Sequence, residues 1–472
     1  VNKKFLICQI DSLPLDVLKK AMSKGYLPFI KSLIDQDYNL QEMFSGIPST
    51  TPASQINLFY GICLLPGFRF VIKKENVVFA PQYIETIELL EKSIYLKDKK
   101  GLLREGMGIM SLFSGGSSKG ISMGMIKKDK KLLLGFILFL FNPFTFAWRL
   151  LRIFILYIIE WSEQKKNKNA YLLPKMSTYV WYRVVHEVLF GEIAYMTVKK
   201  AIPTNDKVIF VNFSGYDEIS HHHGGYSKSA LDYLSIVDIY IKNLIQAIKK
   251  NNNKRELIII SDHGQTPCIP ETTIIGCTIG EKIASLFPKK KIVQHKLEYK
   301  SSMLEKSDLY LLNSGGVCLV YNPKTKKQLS RKELEVEYPN FYKKVSNLNL
   351  VVDLVLVKEK NLVAVKNGKT FDFKLENATI LFPFLDKLYQ KKAIDWLTTL
   401  MDGPFAPDAC VLAKMLDKNK MVNFENQLSS HGGVGGNQTQ SFILSREPLL
   451  QSIKLPEMLD LHDVLEQQVF GN

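Results

Sequence analysis

Short apolar runs without polar alternation recur along the chain, at 5–10, 208–213, 257–260, 317–321, 410–413 and 441–444. A strand with one wet face alternates apolar and polar side chains, so an unbroken run fits a strand covered on both faces. Amphipathic helical patterns lie between several runs. The clearest spans Ser229–Lys250, with Leu231, Leu234, Val237, Ile241 and Leu244 at helical spacing, and a second reads over Asp16–Ile34. Doubly covered strands alternating with helices predict an α/β fold, a mostly parallel sheet with helices on both faces. The 472 residues, 46% of them hydrophobic, supply one large domain with insertions or two to three average ones.

Ligands of such sheets bind beyond the carboxyl ends of the strands. The residues at those ends have metal-binding chemistry. Asp11 follows the first run, Asp217 and His221 follow the second, and Asp262-His263-Gly264 follows the third. His431 lies in a glycine-rich stretch near the C-terminus, and a run of hydroxyls, Ser49-Thr50-Thr51, precedes Pro52. Catalytic metal sites use imidazole nitrogen and carboxylate oxygen and keep one position open. Taken singly, each residue has an ordinary role: Asp11 and Asp217 can cap helices, the Asp-His pair can bond within a loop, and Thr51 can be a cap. His222 and His223 flank His221, so spacing alone does not single out His221. Together, three carboxylates, three imidazoles and an alcohol form the inventory of a two-metal site with a hydroxyl nucleophile, with Ser49 and Thr50 as alternatives to Thr51.

Two segments interrupt the rhythm. From 92 to 200 the chain turns from polar and glycine-rich to strongly apolar between Leu132 and Ile159, broken at Asn142-Pro143 and flanked by Lys127, Lys128, Lys130, Lys131 and by Lys165, Lys166, Lys168. Neither half reaches the roughly 20 apolar residues of a spanning helix. The expectation is a hairpin of two apolar helices that enters one leaflet or lies on an anionic membrane surface through 127–168; a buried hairpin is the alternative. From about 290 to 400, apolar strands around Asn367-Gly368 read as a small antiparallel sheet capping the site. The expected division is 1–91, 201–290 and 401–472 as catalytic core, with 92–200 and 291–400 as insertions.

A formal net charge of +16 favours anionic partners. No nucleic-acid module is present in the sequence, so phosphate esters and lipid headgroups rank ahead of nucleic acid. The six cysteines are scattered without a paired motif, and no apolar leader precedes the first strand. Both favour a reducing, cytoplasmic setting, at the inner face of the membrane if the hairpin binds there.

The combined motifs resemble the alkaline phosphatase superfamily, in its type I phosphodiesterase/nucleotide pyrophosphatase branch. The matching stretches are 9–12, 48–52 with 58–61, 215–221, 261–264 and 430–433, in the family's order. The apolar insertion and the segments 101–108 and 114–116 are similar to a bacterial membrane-associated subgroup. The resemblance implies an alkaline-phosphatase-like fold with an apolar helical insertion and a small α+β cap. It implies two divalent metal ions, zinc with manganese as the alternative: one on Asp217, His221 and His431, the other on Asp11, Thr51, Asp262 and His263. Thr51 would attack phosphorus and form a phospho-threonine. Ser220 stands where many relatives have glycine, and Asn57 is near, but not at, the spacing of the family's phosphate-contacting asparagine. The sulfatase cousins need a modifiable Cys or Ser and an arginine, which Thr51-Pro52-Ala53-Ser54-Gln55 lacks. The expected function is hydrolysis of phosphate esters. The alternatives are a phospho-alcohol transferase or phosphatase on a lipid-linked substrate, and a catalytically silent membrane-bound binding protein.

Overall fold

The computed structural model describes residues 3–121, 143–166, 183–185, 190–252, 254–295 and 302–471. Its central sheet has seven strands, in the order Asn39–Phe44, Gln440–Ser445, Arg255–Ile260, Lys4–Ile10, Val208–Phe213, Met107–Ile109 and Gly120–Ile121. Lys4–Ile10 lies in the middle, parallel to both neighbours, with Ile10 opposite Phe213 and Gln9 opposite Ile260. Only Gln440–Ser445 runs against the rest. Alternate residues of the central strand feed different cores: Phe5 and Ile7 pack into one apolar cluster, Leu6, Cys8 and Ile10 into the other. Both faces are therefore covered, which is why the strand is apolar throughout.

The first expected helix is two helices, Leu15–Ser23 and Pro28–Gln36. Gly25 adopts φ +77° between them, and Pro28 opens the second. A left-handed glycine followed by a proline ends one helix and starts another, which apolar spacing alone does not reveal. The helix Lys228–Lys250 forms as expected, capped by Ser227 Oγ accepting from the Ala230 amide.

A second seven-stranded sheet, mostly antiparallel, comprises Ile292–Gln294, Leu309–Ser314, Val317–Tyr321, Ala409–Ala413, Val352–Lys358, Leu362–Lys366 and Lys369–Asp372. Asn367 (φ +50°) and Gly368 (φ +73°) turn its last hairpin, the geometry of a tight two-residue turn. The runs at 317–321 and 410–413 belong here rather than to the parallel sheet. They pair antiparallel, Val317 opposite Leu412 and Val320 opposite Ala409. A four-stranded sheet (Met415–Asp417, Lys420–Asn423, Thr266–Pro270, Ser429–Ser430) joins the segments after His263 and before His431.

Pro143–Lys166 forms a 24-residue helix, the second half of the expected apolar hairpin. The first half, 132–142, lies outside the described residues. No helix among the described residues is long and apolar enough to cross a membrane.

Candidate metal centre and active site

The strand ends bring the predicted residues together. Asp11 leaves the central strand; Asp262 and His263 leave its neighbour on one side; Asp217 and His221 lie in the helix Gly215–His223, just after its neighbour on the other. His431 returns from the far end of the chain beside Ser49. Two groups result, Asp217–His221–His431 and Asp11–Asp262–His263, each with ligand atoms within 4.8 Å of one another. The groups adjoin: the rings of His263 and His431 are 4.1 Å apart and those of His221 and His431 5.1 Å. Within the first group, Asp217 Oδ1 lies 3.3 Å from His221 Nε2 and 3.6 Å from His431 Nε2.

All three imidazoles are held in the same sense. Nδ1 faces a backbone carbonyl in each: Ser429 O for His221 at 2.9 Å, Gly264 O for His263 at 3.0 Å, Ser49 O for His431 at 2.8 Å. A carbonyl only accepts, so Nδ1 carries the proton and, in the neutral ring, Nε2 keeps its lone pair for a ligand. Every Nε2 faces a site carboxylate. Asp262 Oδ1 accepts from the Ser12 amide at 2.9 Å, whereas its Oδ2 is buried with no hydrogen-bond partner. An orphaned carboxylate oxygen facing imidazole lone pairs is suited to a cation, and the nitrogen–oxygen donor set fits zinc.

Thr51 opens the buried helix Thr51–Tyr60, after Thr50 in extended conformation. Its Oγ1 donates to Asp11 Oδ1 at 3.1 Å and lies 3.2 Å from His263 Nε2. The free amides and positive dipole end of that helix face the same space, a favourable place for an anion. Ser49 Oγ instead accepts from the Gly432 amide at 2.9 Å and serves to hold the His431 loop. Asn57 is occupied too; oriented to satisfy both amide atoms, its nitrogen donates to Ile62 O at 2.7 Å. His222 pairs with Glu218 at 3.8 Å, and neither it nor His223 is in either ligand group.

Three uncharged residues beyond the expected set hold the carboxylates in place. Gln265 Nε2 donates to Asp217 Oδ1 (2.6 Å) and to Asp217 O (3.0 Å). Asn212 Nδ2 donates to Asp11 Oδ2 at 2.8 Å and is itself oriented by Gln9 Nε2 at 3.1 Å. Gln265 directly follows the Asp262-His263-Gly264 stretch, and Asn212 lies near the end of an apolar strand. A buried amide in such a strand is the one signal that could have marked Asn212.

The electrostatics favour positive charge. Burial, and then the carboxylates of Asp262 and Asp217, hold Asp11 well above the usual carboxylate range. Burial lifts Asp262 to about 6. Burial would also raise Asp217, but His221, His431 and His263 outweigh it and keep Asp217 well below its ordinary value. Burial pulls His221 down, yet the charge and hydrogen bond of Asp217 raise it to about 9. His263 drops to about 4 through burial, and His431 to about 3 through burial and the neighbouring His263. Crowded carboxylates beside the neutral imidazoles of His263 and His431, removed from water, are relieved by a bound cation.

The family model "Type I phosphodiesterase / nucleotide pyrophosphatase" matches residues 160–369. No curated protein matches the chain. Among solved structures, human ectonucleotide pyrophosphatase/phosphodiesterase 5 is similar at TM-score 0.53 and 12% identity, covering 99% of this chain and 95% of that one. The murine protein, as an inactive threonine-to-alanine form in complex with AMP, is similar at TM-score 0.52 and 12% identity, with the same coverage. Phosphonoacetate hydrolase from Sinorhizobium meliloti, in complex with phosphonoformate, gives TM-score 0.52 and 12% identity over 99% of this chain and 96% of that one. These structures share the fold, the α/β architecture expected from the apolar runs.

Proposed function

We propose that this chain, matched over residues 160–369 by the type I phosphodiesterase / nucleotide pyrophosphatase family model, is a phosphoester hydrolase that cleaves phosphodiesters through a covalent phospho-threonine on Thr51. One observation carries this reading: Thr51 Oγ1 sits at a helix N-terminus within hydrogen-bond distance of both Asp11 and His263. The murine relative, inactive with alanine in place of a threonine, supports a threonine in this role.

Two divalent cations, zinc by the donor set, would be held by Asp217, His221 and His431 and by Asp11, Thr51, Asp262 and His263. When bound they polarise phosphoryl oxygens and lower the pKa of a hydroxyl. The chain's own residues supply the rest. Asp11 Oδ1, which already accepts the Thr51 hydrogen bond, takes the proton from Thr51 Oγ1 as it bonds to phosphorus, and the bond to the leaving alcohol breaks. The helix amides stabilise the negative charge on the phosphoryl oxygens. Water then attacks the phosphorus of phospho-Thr51, breaking the bond to Oγ1 and releasing a phosphate monoester.

As partner we propose an anionic membrane surface, met by the helix Pro143–Lys166. Trp148, Leu151, Phe154, Ile158 and Trp161 are exposed on it, while Ile153 and Leu156 are buried. Lys165 and Lys166 end the helix. An apolar face of this kind marks an interaction surface, and the chain's formal net charge of +16 suits anionic headgroups.

Thr51→Ala should abolish turnover of bis(nitrophenyl) phosphate while leaving metal content near that of the unsubstituted chain. In the unsubstituted chain, acid quenching during turnover should trap phosphate on the peptide bearing Thr51. Full activity in the variant, or trapped phosphate on another residue, would remove Thr51 as nucleophile.

A further inference from the structure

A second cavity, of about 500 Å³, lies where four segments meet. These are the 72–75 turn, residues 89–95 at the end of the helix Ile84–Glu91, the 326–328 turn and residues 403–406. None of the metal-cluster residues lines it. Its volume is in the range of small-molecule sites. We propose that this cavity binds a small phosphate monoester carrying an apolar or aromatic body. A phosphodiester hydrolase releases such monoesters, and the cavity's own lining would recognise them whatever their source.

The cavity has two chemically distinct parts. Its apolar side is built on Tyr95 and Phe405, edge to face with ring centres 5.3 Å apart, next to Leu89 and Leu90. Its polar side carries five lysines and one acid, Glu75. Three of the lysines are committed. Lys73 Nζ is buried against Asp408 at 2.7 Å, Lys327 pairs with Glu333 at 3.1 Å, and Lys92 with Glu88 at 3.6 Å. The other two have no carboxylate partner among the described residues. Lys326 Nζ donates only to the main-chain carbonyls of Lys73 (3.3 Å) and Lys74 (3.2 Å), and Lys74 is exposed beside it. Ser93 Oγ, on the same cavity, is buried without a hydrogen-bond partner.

Two ammonium groups without counter-ions and an unused hydroxyl match a dianionic phosphate, whose oxygens accept charge-assisted hydrogen bonds. The aromatic floor gives the rest of the ligand an apolar seat that inorganic phosphate would leave bare. A nucleoside monophosphate and a short monoacyl glycerophosphate both present this chemistry.

Equilibrium dialysis of AMP and of monohexanoyl glycerophosphate tests the assignment. The metal-loaded chain is compared with its Lys74→Glu/Lys326→Glu variant, both positions being exposed. The unsubstituted chain should bind one equivalent of at least one probe beyond the equivalent at the metal centre. The variant should lose that equivalent, or bind it at least tenfold more weakly, and keep its turnover of bis(nitrophenyl) phosphate. AMP as the bound probe identifies a nucleoside body, and the acyl probe a lipid body. Failure of the extra equivalent to appear, or its survival in the variant, overturns the proposal. So does displacement by equimolar inorganic phosphate. If turnover is absent while the extra equivalent is present and lysine-dependent, the hydrolase reading fails and this one stands.

Discussion

A threonine alcohol at neutral pH is a poor nucleophile, and a buried carboxylate is a reluctant anion. Each is useful in this molecule only because of the group beside it. The ligands themselves are legible in the sequence because charged residues stand out where apolar strands end. The amides that orient them are not, since a glutamine or asparagine has no distinctive motif and its role appears only when a partner 48 or 201 positions away arrives. Removing such an orienting hydrogen bond typically weakens metal binding tenfold to a hundredfold. Gln265→Leu should therefore lose affinity for one of two ions, the one on Asp217, His221 and His431. Asn212→Leu should lose it for the other. Titration against a chelating dye reads both constants, and two ions held at unchanged affinity in each variant would contradict the assigned roles.

At the scale of elements, each predicted strand forms, but an apolar run does not name its neighbours. That is why 317–321 and 410–413 read as part of the parallel core and yet pair in the second sheet. The helix Thr51–Tyr60 shows a similar limit. Gly61 ends it at φ +63°, and a Cβ there would lie 2.5 Å from the His462 ring, which comes from the last helix, Met458–Phe470. No local pattern reports a contact made across four hundred residues. The helix Pro143–Lys166 is the opposite case: its apolar composition is plain in the sequence, and Trp148, Leu151, Phe154 and Ile158 are exposed on it. Phe154→Glu with Ile158→Glu places two carboxylates on that face, where they face solvent in the free protein. The doubly substituted chain should keep its thermal midpoint and no longer sediment with vesicles containing anionic lipid. Sedimentation equal to that of the unsubstituted chain would show that another surface makes the contact.

At the scale of the whole molecule, the chain carries +16, yet a single buried carboxyl outside the candidate metal groups contributes to its pH dependence. Burial pushes Glu271 to about 8, from an ordinary 4.5. The folded state thus holds this proton over a window in which the unfolded chain releases it. Below about 4.5 both states are protonated and nothing is lost. As pH climbs from there to about 8, folding stability falls, by an amount on the order of a few kcal/mol. Glu271→Gln should leave urea midpoints alike at pH 4.5 and raise the variant's midpoint above that of the unsubstituted chain at pH 8.5. Equal midpoints at both pH values would mean that the group is ionised at little expense in the fold.

The ligands of the two clusters are also spaced unevenly in time. A ribosome making this chain has delivered Asp11, Thr51, Asp262 and His263 well before it reaches His431. The strand Gln440–Ser445, which sits between Arg255–Ile260 and Asn39–Phe44, comes later still. A nascent chain therefore carries every residue of one candidate metal group while the other still lacks His431. On the proposed ligand assignment, synthesis completes the donors of one pocket before those of the other, and a chain that ends before His431 carries only the first set.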